Sequence, residues 1–419
     1  MNNIEHVIDS QTCTGCGVCS YICPQGCIST SLDMADGYYK TKLDESICVN
    51  CSACMQVCPV YSWKNDGLIG RYVGVHSGYC TDQQLRKECA SGGITTSLLC
   101  YMLESGEIDA AVVAYRPSCS PLECKLKIVT TVDEIKTSKG SVYSPTSYQD
   151  IITDIIDSDK HKFAIVGLPC HIEGITNLCG RNKILRDKIK YKIALVCGHT
   201  PSITAYEYSL KHLGINKDDV EMMTNRGDGW PGYMKFFLKC KKTLIYIYIY
   251  AHTYSWGMCL SSCVFTPPGC RHCVDSTGYQ ADISISDAWL PKFKDDKIGH
   301  NLFLIRNEAI LNIINKMSAE HVIEIEKERV EDFVKANERV FAEKLVVNRL
   351  KNEKNKKYGL FANVEYIKQT SPLAIVFTWL FVINENLFHK LFGQKYANNI
   401  VLFYFKVLKY LALKWVRIF

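Results

Sequence analysis

From about Leu68 the chain alternates short apolar runs with amphipathic stretches. Tyr72–His76 (Tyr-Val-Gly-Val-His) and Asp109–Tyr115 (Asp-Ala-Ala-Val-Val-Ala-Tyr) read as strands. Between them, Ile94–Ser105 repeats its apolar positions at helical spacing. Phe163–Gly167 and Lys192–Cys197 continue the theme, each followed by a candidate helix. Such alternation predicts an α/β core with a mainly parallel sheet. Met234–Cys240 and Thr243–Tyr250 predict an added antiparallel hairpin, and Ala281–Asp287 and Asn301–Arg306 two more strands. Residues 1–62 differ: two irregular stretches flank a short hairpin with its turn near Asp36-Gly37, a small α+β unit.

Toward the C-terminus the pattern changes again. Glu324–Lys357 is dense in charges of both signs and predicts a solvated helical region. Leu373–Ile383 is apolar but shorter than the ~20 residues a bilayer-spanning helix needs. In Ile400–Phe419, Lys406, Lys409, Lys414 and Arg417 are read as one side of a helix, opposite Leu402, Phe405, Leu411 and Val416. That is a basic amphipathic helix, suited either to peripheral contact with an anionic membrane face or to docking on protein.

With 419 residues and a net charge of +6, several domains and a sizeable core are expected. The charge is unevenly spread: residues 1–62 hold Glu5, Asp9, Asp33, Asp36, Asp44 and Glu45 against Lys40 and Lys42. No Lys/Arg block with interleaved aromatics is present, which argues against nucleic acid as a partner. The first residues, MNNIEHVIDSQTC, show no basic and apolar leader pattern. Twenty-two cysteines in clustered motifs imply a reducing cytoplasm.

The cysteines carry the chemistry. Cys13-x2-Cys16-x2-Cys19-x3-Cys23-Pro24 is repeated as Cys48-x2-Cys51-x2-Cys54-x3-Cys58-Pro59. This is the spacing of bacterial-type ferredoxin domains, in which the fourth Cys of each run ligates the other cluster. Cys13, Cys16, Cys19 and Cys58 are thereby assigned to one [4Fe-4S] centre, and Cys48, Cys51, Cys54 and Cys23 to a second. Three thiolates on a tight loop wrap three cube corners, and a distant one closes the fourth. Cys27 reads as a packed small hydrophobe. Further on, Cys170 and Cys197 follow predicted strands, and Cys270-x2-Cys273 adds two more thiols. Four thiols near strand ends invite a third cluster, with unrelated buried cysteines as the alternative and Cys263 as a competing ligand. Ala90-Ser91-Gly92-Gly93-Ile94 precedes a helix, and its glycines and free N–H groups suit a phosphate or simply a helix cap.

These stretches occur in an order that resembles the coenzyme F420 hydrogenase/dehydrogenase beta subunits, in the version with an N-terminal two-cluster ferredoxin domain. The resemblance rests on Arg86 with Ala90–Ile94, Gly140-Ser141 with Tyr143, Gly167–His171, Cys197–His199 with Pro201-Ser202, Arg226–Trp230, Cys270-x2-Cys273, Ala281–Ile283 and Asp287-x-Trp289. It implies a dicluster domain over 1–62 and the N- and C-terminal regions of the beta subunits over 68–150 and 151–320, while the residue pattern alone sets off a charged helical region over 321–371 and an apolar, basic tail over 372–419. It further implies a third [4Fe-4S] centre on Cys170, Cys197, Cys270 and Cys273. FAD would lie beside that centre, with Ser91, Gly92, Gly93, Gly140 and Ser141 near it. The expected activity is that of an iron-sulfur flavoprotein oxidoreductase. A ferredoxin-like donor supplies electrons through the clusters to FAD and on to a small organic acceptor, in relatives resembling surface-glycan components. The alternative is a non-catalytic electron-transfer subunit serving a partner enzyme. His171 and His199 are candidates for proton donation or for tuning a cluster. Val142, His171 and Ser286 depart from the family pattern and leave use of coenzyme F420 itself open.

Overall fold

The computed structural model describes residues 3–62, 69–239, 243–248, 256–344 and 399–414, with isolated positions at 380, 384, 387 and 388. Its strands in chain order are β1 (Ile28–Asp33), β2 (Tyr38–Leu43), β3 (Gly74–Cys80), β4 (Ala110–Tyr115), β5 (Lys125–Val129), β6 (Phe163–Gly167) and β7 (Ile189–Leu195). They continue with β8 (Val220–Thr224), β9 (Tyr233–Leu238), β10 (Thr243–Tyr248), β11 (Ile283–Asp287), β12 (Asn301–Ile305) and β13 (Ile323–Lys327).

In the N-terminal unit β1 and β2 pair as the expected hairpin, with Asp33 opposite Tyr38. The doubled cysteine pattern is also doubled in the backbone. Helices Val18–Ile22 and Ala53–Val57 occupy matching places in the two runs. Gly15 and Gly17 in the first run, and Asn50 and Ser52 in the second, take left-handed conformations at corresponding positions. Glycine accepts that conformation freely, and a non-glycine residue holds it only where the surroundings fix it.

The core is one eight-stranded sheet in the order β13-β3-β12-β11-β7-β6-β4-β5. Here the expectation of a mainly parallel sheet is corrected. Its centre, β11-β7-β6-β4, is parallel. The β4–β5, β11–β12, β12–β3 and β3–β13 pairings are antiparallel, so the sheet is mixed. Helical crossovers make the parallel centre, while β12 folds straight back on β11 and recruits β3 from before the crossovers. The expected hairpin is present as β9 and β10, joined by β8 into a separate three-stranded sheet.

A second correction concerns the charged stretch. Ile323–Lys327 is an edge strand, and its Ile-Glu-Ile-Glu alternation matches the period of two that a strand needs. Helices Val330–Ala336 and Glu338–Ala342 follow, and residues 345–371 lie outside the described residues.

The terminal helix Asn399–Lys414 corrects a third expectation. Leu402 and Phe405 are buried against helix Trp256–Ser262 and the three-stranded sheet. Lys409 is buried with them, because positions 402, 405 and 409 are spaced by three and four and share one helix face. Its ammonium lies 2.6 Å from Glu343 Oε2 and 2.9 Å from Cys263 Sγ. The side turned to solvent carries Ile400, Phe403, Tyr404, Val407 and Tyr410, and Lys409 is buried away from the solvent-facing basic side read from the sequence. Leu373–Ile383 falls outside the described residues apart from Leu380. Among the described residues no helix is long and apolar enough to cross a membrane.

The dicluster unit shares a single hydrophobic cluster with one face of the large sheet: Val18, Val57 and Val60 pack with Ile151, Ile152, Phe163 and Ile172. The opposite face is covered by Ile94–Glu104 and Glu308–Ala319. The turn entering Ile94–Glu104 lies against sheet backbone. Gly92 O accepts from Cys80 N at 2.7 Å, and Asn301 Oδ1 caps Ile94 N at 3.1 Å.

This packing makes two expectations for stability. In Gly92→Ala the new Cβ would lie 2.6 Å from both Asn301 N and Gly78 O, which are backbone atoms that cannot swing aside. Overpacking of this kind is expected to cost about 1–3 kcal/mol, read as a lowered denaturant midpoint. Lys409→Met leaves Glu343 without its cation and is expected to cost about 3 kcal/mol. Hydrogen exchange should then accelerate across residues 399–414 before the sheet, and unchanged protection there would refute the tether.

Candidate electron-transfer site

In the N-terminal unit the first cysteine set comes together. Cys16, Cys19 and Cys58 are buried, and Cys13 is half-buried. Burial pushes the Cys19 and Cys58 thiols well up, and the neighbouring Cys16 and Cys13 sulfurs push both further. The Cys16 thiol rises to about 11, with burial as the main cause. Thiols that crowd each other away from water resist ionisation, so the arrangement suits thiolates only when a cationic centre binds them.

The second set is more open: Cys51 is exposed, Cys48 and Cys23 are half-buried, and Cys54 is buried beside Cys51. Cys54 also acts on Cys19, which links the two sets. Cys27 adds something spacing did not show. It is buried in the hydrophobic cluster, yet its sulfur lies 3.2 Å from Cys23 Sγ and also contacts Cys48.

The four core cysteines are brought to one place. Cys170 opens helix Pro169–Cys179 directly after β6, and Cys197 follows β7. Because β6 and β7 are parallel neighbours, their carboxyl ends lie side by side. Cys270 sits in the short turn Gly269–Arg271, with Cys273 just beyond. Burial first, then Cys273, Cys270, Cys16 and Cys197, push the Cys170 thiol well up. Burial likewise lifts Cys197 to about 12, with Cys270 and Cys273 contributing. Cys263 faces elsewhere: its sulfur lies 3.2 Å from Glu343 Oε1, in a group with His199 and Lys409.

The dicluster unit meets this core set directly. Cys16 is among the groups acting on Cys170, and Cys16 O accepts from Tyr148 N at 2.8 Å. Gly269 is required here, since a Cβ on it would fall 2.0 Å from Cys13 O.

Beyond the core thiols opens a cavity of about 790 Å³, within the size range of cofactor sites. Cys197, His171 and His199 line the wall it shares with the thiols. Ser91, Gly93, Gly140 and Ser141 line it too, whereas Gly92 is not on its wall and packs on sheet backbone instead. Gly93 caps the helix start with φ +80°, and Gly140 takes φ +91°, where a Cβ would lie 3.7 Å from Arg226 O. Arg226 and Asp287, both on the cavity wall, pair at 2.6 Å, and Arg226 Nη1 reaches Tyr143 Oη at 3.5 Å. Arg86 has a structural place. It bonds Asp296 at 2.9 Å and Gly299 O at 2.9 Å, with its guanidinium 3.6 Å from the Tyr79 ring centre.

The two histidines differ. His171 is buried against Tyr148, and burial lowers its pKa to about 4, so the ring is neutral near pH 7. Its Nδ1 is a buried polar atom without a partner among the described residues. His199 points its Nδ1 to Glu343 Oε1 at 3.6 Å.

Comparison with known proteins matches this layout. Residues 12–61 fit the 4Fe-4S dicluster domain. Residues 75–153 fit the N-terminal model of the coenzyme F420 hydrogenase/dehydrogenase beta subunits, and residues 160–331 the C-terminal model. The coenzyme F420-dependent sulfite reductase of Methanocaldococcus jannaschii is 27% identical over 347 residues, covering 78% of this chain and 50% of that protein. The chain thus spans about half the length of that relative. The beta subunit of the coenzyme F420 hydrogenase of Methanosarcina barkeri is 25% identical, covering 57% of this chain and 80% of that protein. A component of the F(420)H(2) dehydrogenase of Methanosarcina mazei is 23% identical, over 78% of this chain and 95% of that protein. A chain of the F420-reducing [NiFe] hydrogenase complex from Methanosarcina barkeri shares the fold, with a TM-score of 0.54 and 20% identity. That match covers 71% of this chain and 96% of the hydrogenase chain. This chain belongs to the family of coenzyme F420 hydrogenase/dehydrogenase beta subunits, as an iron-sulfur electron-transfer member with a 4Fe-4S dicluster domain ahead of the shared core.

Proposed function

We propose that the chain is an electron-transfer subunit that conducts between a redox partner at its dicluster unit and a FAD held in the cavity, in the service of a partner enzyme. The observation that carries this reading is the succession of thiols. An exposed set around Cys51 adjoins a buried set around Cys16, which adjoins the core set at Cys170, whose member Cys197 borders the cavity. Iron-sulfur centres exchange single electrons, and a flavin pairs two of them for transfer to an organic acceptor.

The chain's own residues have definable work in this reading. The twelve cysteines supply three groups of four thiolates. Gly140 and the start of helix Ile94–Glu104, both on the cavity wall, are where a diphosphate would meet backbone N–H groups. Arg226, held by Asp287, keeps a fixed cation at the cavity. Buried neutral His171 offers a ring nitrogen at the wall beside Cys170. The relatives named as hydrogenase and dehydrogenase components support a partner enzyme, and the sulfite reductase shows the same kind of core within a longer chain. A flavoenzyme turning over its own small acceptor is the second reading, favoured by the size of the cavity.

Iron, sulfide and flavin measured on one anaerobically purified sample test the proposal. About twelve irons and about one flavin per chain are expected. Replacing Cys270 and Cys273 together by Ser should lower the iron to about eight and leave the dicluster spectrum intact. Eight irons in the unaltered chain would remove the core centre, and absent flavin would empty the cavity of its proposed role. Turnover of a small acceptor by the isolated chain would favour the second reading.

A further inference from the structure

The terminal helix Asn399–Lys414 buries one face and leaves the other in solvent. Leu402, Phe405 and Lys409 turn to the protein, while Ile400, Phe403, Tyr404, Val407 and Tyr410 are exposed. Steps of three and four residues put those five on one stripe. Ile400 is 81% exposed, Phe403 61% and Tyr410 56%. Alongside, Tyr404 Oη donates to Asn384 Oδ1 at 3.0 Å, and Phe388 packs edge-on to Phe405. Leu380 and Leu387, which flank Asn384 in the chain, are exposed as well. A single exposed apolar residue is ordinary, but a stripe of them marks a binding surface.

Charge says what covers it. Residues 372–419 hold Lys390, Lys395, Lys406, Lys409, Lys414 and Arg417 against the one acid Glu385, and residues 399–419 hold no acid at all. Lys409 is neutralised by Glu343, and the basic excess remains without it. Lysine is depleted in the cores of protein interfaces, and two copies of this helix laid face to face would set like charges together. An anionic lipid surface suits both features. Apolar side chains enter the acyl boundary, tyrosine rings lie at headgroup level, and lysines meet the phosphates. The helix has 16 residues, and no helix among the described residues is long and apolar enough to cross a membrane. The contact therefore lies in the plane of the interface.

We propose that the stripe of Ile400, Phe403, Tyr404, Val407 and Tyr410 binds the surface of an anionic bilayer and holds the chain against it. The side that enters lipid is the apolar one, and the basic residues of the same segment supply the attraction. The stripe serves in this way whether or not the core cysteines hold a cluster.

The test is flotation of the full chain, purified anaerobically, with vesicles of phosphatidylcholine alone or with phosphatidylglycerol added. The chain should float with the anionic vesicles, and less so as salt rises, since salt screens the attraction. Replacing Phe403 and Val407 together by Ser should weaken the binding by about tenfold or more, because binding scales with the apolar area that leaves water. Both positions are exposed, so the iron content and thermal midpoint should stay those of the unaltered chain. Phe403→Trp should float as the unaltered chain does, and its added fluorescence should be quenched by lipids brominated in the acyl chains. Absence of flotation with anionic vesicles overturns the proposal, as does equal flotation with neutral ones or equal flotation of the double Ser variant. A dimer in sedimentation that the double Ser variant converts to monomer overturns it too, because the stripe would then join two copies of the chain.

Discussion

Crowding thiols out of water is the constraint on which this structure depends. A thiolate in an apolar setting is disfavoured, and a second beside it makes matters worse. Cys16, Cys19, Cys58, Cys170 and Cys197 all meet that double penalty, from burial and from one another. Thiols arranged this way suit iron-sulfur centres of the kind that the 4Fe-4S dicluster match assigns to residues 12–61. The docking of the small unit on the core serves the same framework. Gly269 lets the Cys270 turn lie against the Cys13 backbone, and Tyr148 N bonds Cys16 O across the same interface.

The segment after the family core adds an ion pair that ties the terminal helix to the fold. Glu343, just past helix Glu338–Ala342, pairs with Lys409 of the terminal helix at 2.6 Å. A buried pair such as Lys409–Glu343 is weak support for net stability but strongly constrains geometry, because neither partner tolerates loss of the other. The cavity is polarised differently, by Arg226 and Asp287, which the fold draws from distant parts of the chain.

Much of this was legible in the residues themselves. The doubled Cys-x2-Cys-x2-Cys-x3-Cys-Pro run marks the dicluster unit, and its 35-residue offset reappears in paired helices and paired left-handed loop residues. Apolar runs located most strands to within a few residues, since burial on both faces of a sheet leaves little choice of side chain. Strand direction was not legible, because a buried antiparallel strand such as β12 reads the same as a parallel one. The face of the terminal helix was misjudged for another reason. Lys409 belongs with Leu402 and Phe405 by its spacing, and a long lysine can be buried once a carboxylate waits for it.

What the sequence determined by itself was local: which thiols lie on one loop, where strands begin, and that the chemistry is iron and sulfur. Tertiary structure decided which distant groups share a site. Cys170, Cys197, Cys270 and Cys273 converge because parallel strands end side by side, and Gly92 serves sheet packing while Gly93 faces the cavity. Glu343 lies 80 positions after Cys263, with no spacing rule to join them. Only the return of the chain over the sheet edge makes them neighbours, because contact depends on where segments pack and not on how far apart they are written.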